Sequence, residues 1–178
     1  MLKLERRYIG DLEFREGADG APPELRGVVL KYGDVSTFGD WSETFAPGSL
    51  RAAADGVLLN RQHNRDAALA RSPDTLELED GPEAMRMVAK LPDTTLARDV
   101  LALVRARVLR SLSVEFHSTR EKWTGKRREI LEAVLTGIGV VDRGAYPGST
   151  VEARSTAEDL EARWKAAHTS RAGWRPGL

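Results

Sequence analysis

Residues 109–117, Leu-Arg-Ser-Leu-Ser-Val-Glu-Phe-His, alternate strictly along the chain from Ser111 onward. A period of two marks a β-strand, whose successive side chains point to opposite faces. Leu112, Val114 and Phe116 form a wholly apolar face that must be buried against a core. Ser111, Ser113, Glu115 and His117 form the other face, with a nucleophile-type hydroxyl, a carboxylate and an imidazole in one row. An ordinary half-buried strand also alternates, usually with Thr, Lys or Arg on its wet side. What the rest of the chain supplies around this row decides what the row is for.

Composition narrows the choices. A chain of 178 residues with 41% apolar and 30% charged residues predicts one soluble globular domain, with room for an appendage and a sizeable core. The 27 basic and 27 acidic residues cancel, so no overall field draws the chain to nucleic acid or to a membrane. No apolar run approaches the roughly 18 residues of a membrane span. Met-Leu-Lys-Leu-Glu-Arg-Arg at the start lacks the apolar core of a signal peptide, and a cytoplasmic location is expected. There is no Cys, hence no disulfide, thiolate nucleophile or Cys-ligated metal. Covalent catalysis in such a chain falls to Ser, Thr or a carboxylate.

The first 90 residues read as strand-rich. Strands are expected over Leu12–Arg15 and Leu25–Tyr32, joined by a Gly/Pro loop, and over Trp41–Phe45, closed by Pro47-Gly48. Ser49 is placed to cap a brief helix over Leu50–Ala54. Val57–Leu59 is an apolar strand leading into Asn60-Arg61-Gln62-His63-Asn64. Thr75–Glu79 and Ala84–Leu91 form a hairpin around Asp80-Gly81-Pro82. The period then changes: Asp93 or Thr94 caps a helix in which Leu96, Val100, Leu103 and Val104 recur at helical spacing. After the Ser113 strand come a polar turn with Trp123, the basic run Lys126-Arg127-Arg128 and a long strand from Glu129 to Val141. Beyond Ala153 the composition shifts to a charged helical pattern over Ser155–Ala167 and a Gly/Pro/Arg end. The expected organisation is a strand-rich domain over residues 1–152 with a central helix, and a separable tail over 153–178.

Three histidines are present: His63, His117 and His168. A serine nucleophile needs a base within about 2.6–3.2 Å. His117 lies four residues along the strand from Ser113, about 13 Å away at a strand's rise, and His168 falls in the tail. If Ser113 is activated by an imidazole, His63 is the one. An orienting group must stand behind that imidazole. Glu115, roughly 6.6 Å from Ser113 on the same face, is placed to flank His63 together with the serine; Asp66 and Asp142 are rivals.

These residues carry a family resemblance. Asp40-Trp41-Ser42-Glu43-Thr44-Phe45-Ala46-Pro47-Gly48-Ser49-Leu50 resembles the Gly-Asp-Trp…Phe-x-Pro-Gly-Ala-Phe opening of the prohead maturation proteases of tailed phages. Leu58–Asn64, with His63, is similar to that family's apolar strand running into Asn/Gln-His-Asn/Asp. Leu91-Pro92-Asp93-Thr94-Thr95-Leu96-Ala97-Arg98-Asp99 matches its Leu-Pro-x-Thr helix start. Arg110–Phe116 resembles its nucleophile strand, and Val141–Pro147 its Val-x-x-Pro-Ala-Tyr-Pro close. The five blocks stand in the family's order.

The resemblance implies a serine endopeptidase with an α+β fold: a closed, mainly antiparallel β-barrel flanked by helices, as in the herpesvirus maturation proteases, here with a short C-terminal helical tail. It implies Ser113 as nucleophile and His63 as base, an acyl-enzyme mechanism and no cofactor or metal. The expected substrates are scaffold segments, the major capsid protein and the chain itself, cut in the host cytoplasm inside the assembling procapsid. A homodimer stays open. The Arg143-Gly144 turn is the candidate for oxyanion and substrate binding, because an Arg-containing turn does this in the herpesvirus relatives. This chain departs from the pattern at Ser111 and Glu115, where the family usually has Gly. It departs again at Gly137 and Gly139, where the family often has Glu-Val-Ser. Glycines there cannot orient His63, so Glu115 or a water takes that role. Two other readings remain: a catalytically silent assembly factor on the same fold, and a small-molecule serine esterase or amidase. The second lacks a Gly-x-Ser-x-Gly elbow.

Overall fold

A computed structural model describes residues 3–15 and 22–142. In chain order the elements are β1 (Glu5–Arg15), β2 (Glu24–Lys31), β3 (Ser36–Phe38), β4 (Trp41–Phe45), β5 (Leu50–Ala52) and β6 (Leu58–Arg61). They continue with β7 (Asn64–Arg71), β8 (Leu76–Asp80), β9 (Ala84–Lys90), α1 (Thr95–Arg105), β10 (Ser111–Thr124) and β11 (Arg127–Val141). The β10–β11 hairpin is the spine. On one side β10 pairs antiparallel with the first half of β1, whose second half passes to β2, then β9 and β8. On the other side β11 takes β4, β5 and β6 in succession, all parallel, with β3 beyond β4 and β7 beyond β6.

The sheet therefore runs from β3 to β8 without closing on itself. This differs from the expected closed barrel. The reason lies in β11, whose outer edge is shared out among three short strands, so the sheet branches there. α1 is the one helix among the described residues, against the several flanking helices expected. Thr94 caps it, its side chain accepting from the Ala97 amide at 3.1 Å. Ala97, Val100, Leu101 and Val104 form its buried stripe. The expected helix over Leu50–Ala54 is instead strand β5, because β11 offers Ala133, Val134 and Leu135 as pairing partners there. The expected C-terminal tail lies outside the described residues.

Leu112, Val114 and Phe116 are fully buried in the main core with Leu25, Leu59, Ile130 and Ile138. Transfer of such side chains from water is worth about 1.5–3 kcal/mol each and dominates the stability of the layer. The opposite face of β10 is buried as well: Ser111, Ser113 and Glu115 are 2%, 0% and 2% exposed. Part of that cover comes from β1, which begins at Glu5 rather than at Leu12 as expected.

Alternation along Glu5-Arg6-Arg7 splits β1 between two jobs. Glu5 and Arg7 enter a buried ionic cluster with Glu43 of β4 and Arg128 of β11. Arg128 donates to Glu5 at 2.6 and 2.8 Å and to Glu43 at 2.6 Å, while Arg7 donates to Glu43 at 2.7 Å and lies over the Phe38 and Phe116 rings. Burial disfavours the charge on Arg128, but Glu5, Glu43 and Glu121 outweigh it and hold the guanidinium protonated. The cluster ties β1 and β4 to the spine, and Arg6, between its members, turns to the other face.

Candidate active site

β6 and β7 are joined by two residues, Gln62 and His63, between the paired Arg61 and Asn64. Both have positive φ, +54° and +59°, as a type I′ hairpin turn requires. Asn-Gly is the usual occupant, and ordinary L-residues held in this region cost about 1–3 kcal/mol each. The turn places the His63 ring over β11 and against β10. There His63 Nε2 stands 2.7 Å from Ser113 Oγ. Nδ1 lies 3.2 Å from Glu115 Oε1, at ion-pair distance rather than in an aligned hydrogen bond. Catalytic contacts often tighten only once substrate is bound.

Glu115 has a second partner. Arg6, its Cα partner across β1 and β10, donates Nε to Oε1 at 2.6 Å and brings Nη2 equally close. Burial alone pushes the Glu115 carboxyl up, but the contacts and charge of His63 and Arg6 outweigh it and the net shift is downward. Glu115 is thus held as the carboxylate. A carboxylate facing Nδ1 favours the tautomer with hydrogen on Nδ1, which leaves Nε2 to accept from the Ser113 hydroxyl.

Gly137 and Gly139 form the floor of this arrangement. Gly137 pairs with Glu115 and Gly139 with Ser113 across the spine. A Cβ at 137 would stand 2.5 Å from Glu115 Oε2, and one at 139 would stand 2.8 Å from His63 Cε1. Bare backbone at these two positions gives the carboxylate and the imidazole the space they fill.

The structure brings Ser113, His63 and Glu115 together. Asp66 and Asp142, the rival orienters, are both exposed. His117, on the same strand, is half-buried. Arg143 and Gly144 lie outside the described residues. The sequence reading missed Arg6, because nothing in Glu5-Arg6-Arg7 announces a strand. It also read the two glycines only as missing side chains, although an isolated glycine in an apolar strand signals a close approach. Among the described residues no group of three His, Cys, Asp or Glu is placed to hold a metal ion, and no helix is long and apolar enough to cross a membrane.

A model of the caudovirus prohead serine protease family matches residues 11–163, a span that includes His63, Ser113 and Glu115. No curated protein matches the chain. Among solved structures it is similar to the capsid assembly protease of bacteriophage T4 at 14% identity, with a TM-score of 0.45, covering 77% of this chain and 98% of that one. With most of its length matched by that family model, the chain belongs to the caudovirus prohead serine proteases.

Proposed function

We propose that the chain is a prohead maturation endopeptidase that cuts scaffold and capsid-protein segments, and itself, within the assembling procapsid. The observation that carries this reading is the 2.7 Å contact between His63 Nε2 and Ser113 Oγ, with Glu115 behind the ring. As Ser113 Oγ attacks the scissile carbonyl, His63 takes the hydroxyl proton on Nε2 and returns it to the leaving amine. The peptide C–N bond breaks and an acyl-Ser113 ester remains. Water, deprotonated by the same nitrogen, then releases the acid. Glu115, fixed by Arg6, stabilises the imidazolium that forms at each stage.

Stabilising the oxyanion is assigned to Arg143 and Gly144. β11 ends at Val141, paired with Ser111, so the chain leaves the sheet one pleat from the nucleophile. An assembly factor that never cuts would have no use for a hydroxyl, imidazole and carboxylate at these distances, or for two glycines that make room for them.

Incubating the purified chain with its cognate capsid and scaffold proteins tests the proposal. Discrete fragments are expected from the wild type and none from Ser113→Ala. The same fragments from Ser113→Ala, or none from a folded wild type, would overturn it.

A further inference from the structure

Asn60 is 0% exposed, and neither the oxygen nor the nitrogen of its carboxamide has a hydrogen-bond partner among the described residues. An amide buried in this way destabilises the fold and calls for a compensating use. Its position in the sheet indicates one. β6 runs parallel to β11, with Leu59 paired to Ile138 and Asn60 to Gly139. Side chains paired across a sheet share a face, and neighbours along a strand take opposite faces. Leu59 and Ile138 are both fully buried in the main core, so Asn60 lies on the other face, the one Gly139 opens to His63. Ser113 pairs with Gly139 from the opposite side. One row across three strands therefore reads Ser113, Gly139, Asn60. The His63 ring rests over its middle member, within 3.0 Å of the space a Cβ would take, with Nε2 turned to Ser113.

We propose that Asn60 is a positioning residue for His63, its carboxamide forming a fixed polar wall beside the imidazole on the side away from the nucleophile. The dipole acts when the ring is charged. As the proton passes from Ser113 Oγ to Nε2 and on to the leaving amine, the carboxamide oxygen faces the imidazolium and holds it over Gly139. Asn60 itself neither gains nor loses a proton. A dipole set in place before the reaction needs no reorganisation during it, which makes it effective in a site closed to water. The missing partner in the resting structure then has a purpose: an amide already bonded elsewhere would not be available to the ring. This inference rests on the protease reading given above.

Asn60→Val and Asn60→Ser test it. Valine suits a strand and removes the dipole, whereas serine keeps a polar group. Initial rates of scaffold-protein cleavage, measured across scaffold concentration, separate kcat from KM, and thermal melting is followed in parallel. For Asn60→Val, kcat should fall about tenfold or more, with KM nearly unchanged and Tm equal to or above that of the wild type. Asn60→Ser should retain more of kcat than Asn60→Val. Undiminished kcat in Asn60→Val overturns the proposal. So does a loss of kcat that merely follows a lowered Tm, or failure of Asn60→Val to fold, since each would make Asn60 a structural residue. Ser113→Ala in the same assay keeps the two levels apart. Cleavage surviving there removes the protease reading itself, whereas cleavage lost there but intact in Asn60→Val removes only the role of Asn60.

Discussion

Gly139→Ala should slow the site markedly while leaving the fold intact. The glycine's φ is not positive, so alanine can adopt its backbone conformation without strain. The new methyl would stand 2.8 Å from His63 Cε1 and 3.0 Å from both ring nitrogens, where ordinary contact begins at 3.4 Å. The ring must therefore retreat by about 0.6 Å or more from β11. It can, because it sits on a two-residue turn at the edge of the sheet. Moving it breaks the 2.7 Å approach of Nε2 to Ser113. Misplacement on the order of 1 Å costs a reacting pair about a hundredfold, so a loss of tenfold to a hundredfold is expected, or about 1.4–2.7 kcal/mol of barrier. Stability moves little, since replacing a strain-free glycine gains about 0.4–1 kcal/mol through the unfolded chain, against the modest expense of turning one side chain. Cleavage of scaffold protein and thermal melting, measured on the same preparation, check both halves. An alanine variant as active as the wild type would mean that His63 does not work from this position.

Four other expectations follow from the same geometry. Glu115→Gln should lower kcat by more than tenfold with little change in KM, and a milder drop in cleavage rate would remove Glu115 from the triad. The Glu115 carboxyl is held below its ordinary value, so its stabilisation is complete above about pH 4.3 and is lost as pH falls through the folded value. Wild type and Glu115→Gln should therefore converge in Tm on acidification. Arg128→Met leaves the buried Glu5 and Glu43 sharing Arg7 and should cost roughly 3–5 kcal/mol, on the order of 10 °C in Tm by calorimetry. Gln62→Gly relieves a positive φ of 54° in the turn and should raise stability by about 1 kcal/mol with cleavage unchanged.

The parts of this site that were legible in the sequence are those that local pattern controls. Strict alternation from Ser111 to His117 gave the strand and its two faces, and a strand's rise put Ser113 and Glu115 at a span one imidazole can bridge. The burial of both faces was not legible, because the cover over the polar row comes from distant segments. On the apolar face, Glu5 meets Arg128, 123 positions away, and with Glu43 and Arg7 that encounter lets charges enter the core. Arg6 was hidden for the same reason: its partner is 109 positions away. Leu50–Ala52 suits a short helix locally, and pairing with β11 overrides that preference. The glycines at 137 and 139 were visible throughout. Their meaning was not, because a space is understood only once what fills it is known.

The most direct test of the central claim, that Ser113 is a nucleophile activated by His63, is covalent labelling with a fluorophosphonate followed by peptide mass spectrometry. The adduct is expected on Ser113 in the wild type. It should not form on Ser111, one pleat away on the same strand, and it should form orders of magnitude more slowly in His63→Ala. An adduct on Ser111 or any other residue, or labelling of Ser113 at an unchanged rate in His63→Ala, would contradict it.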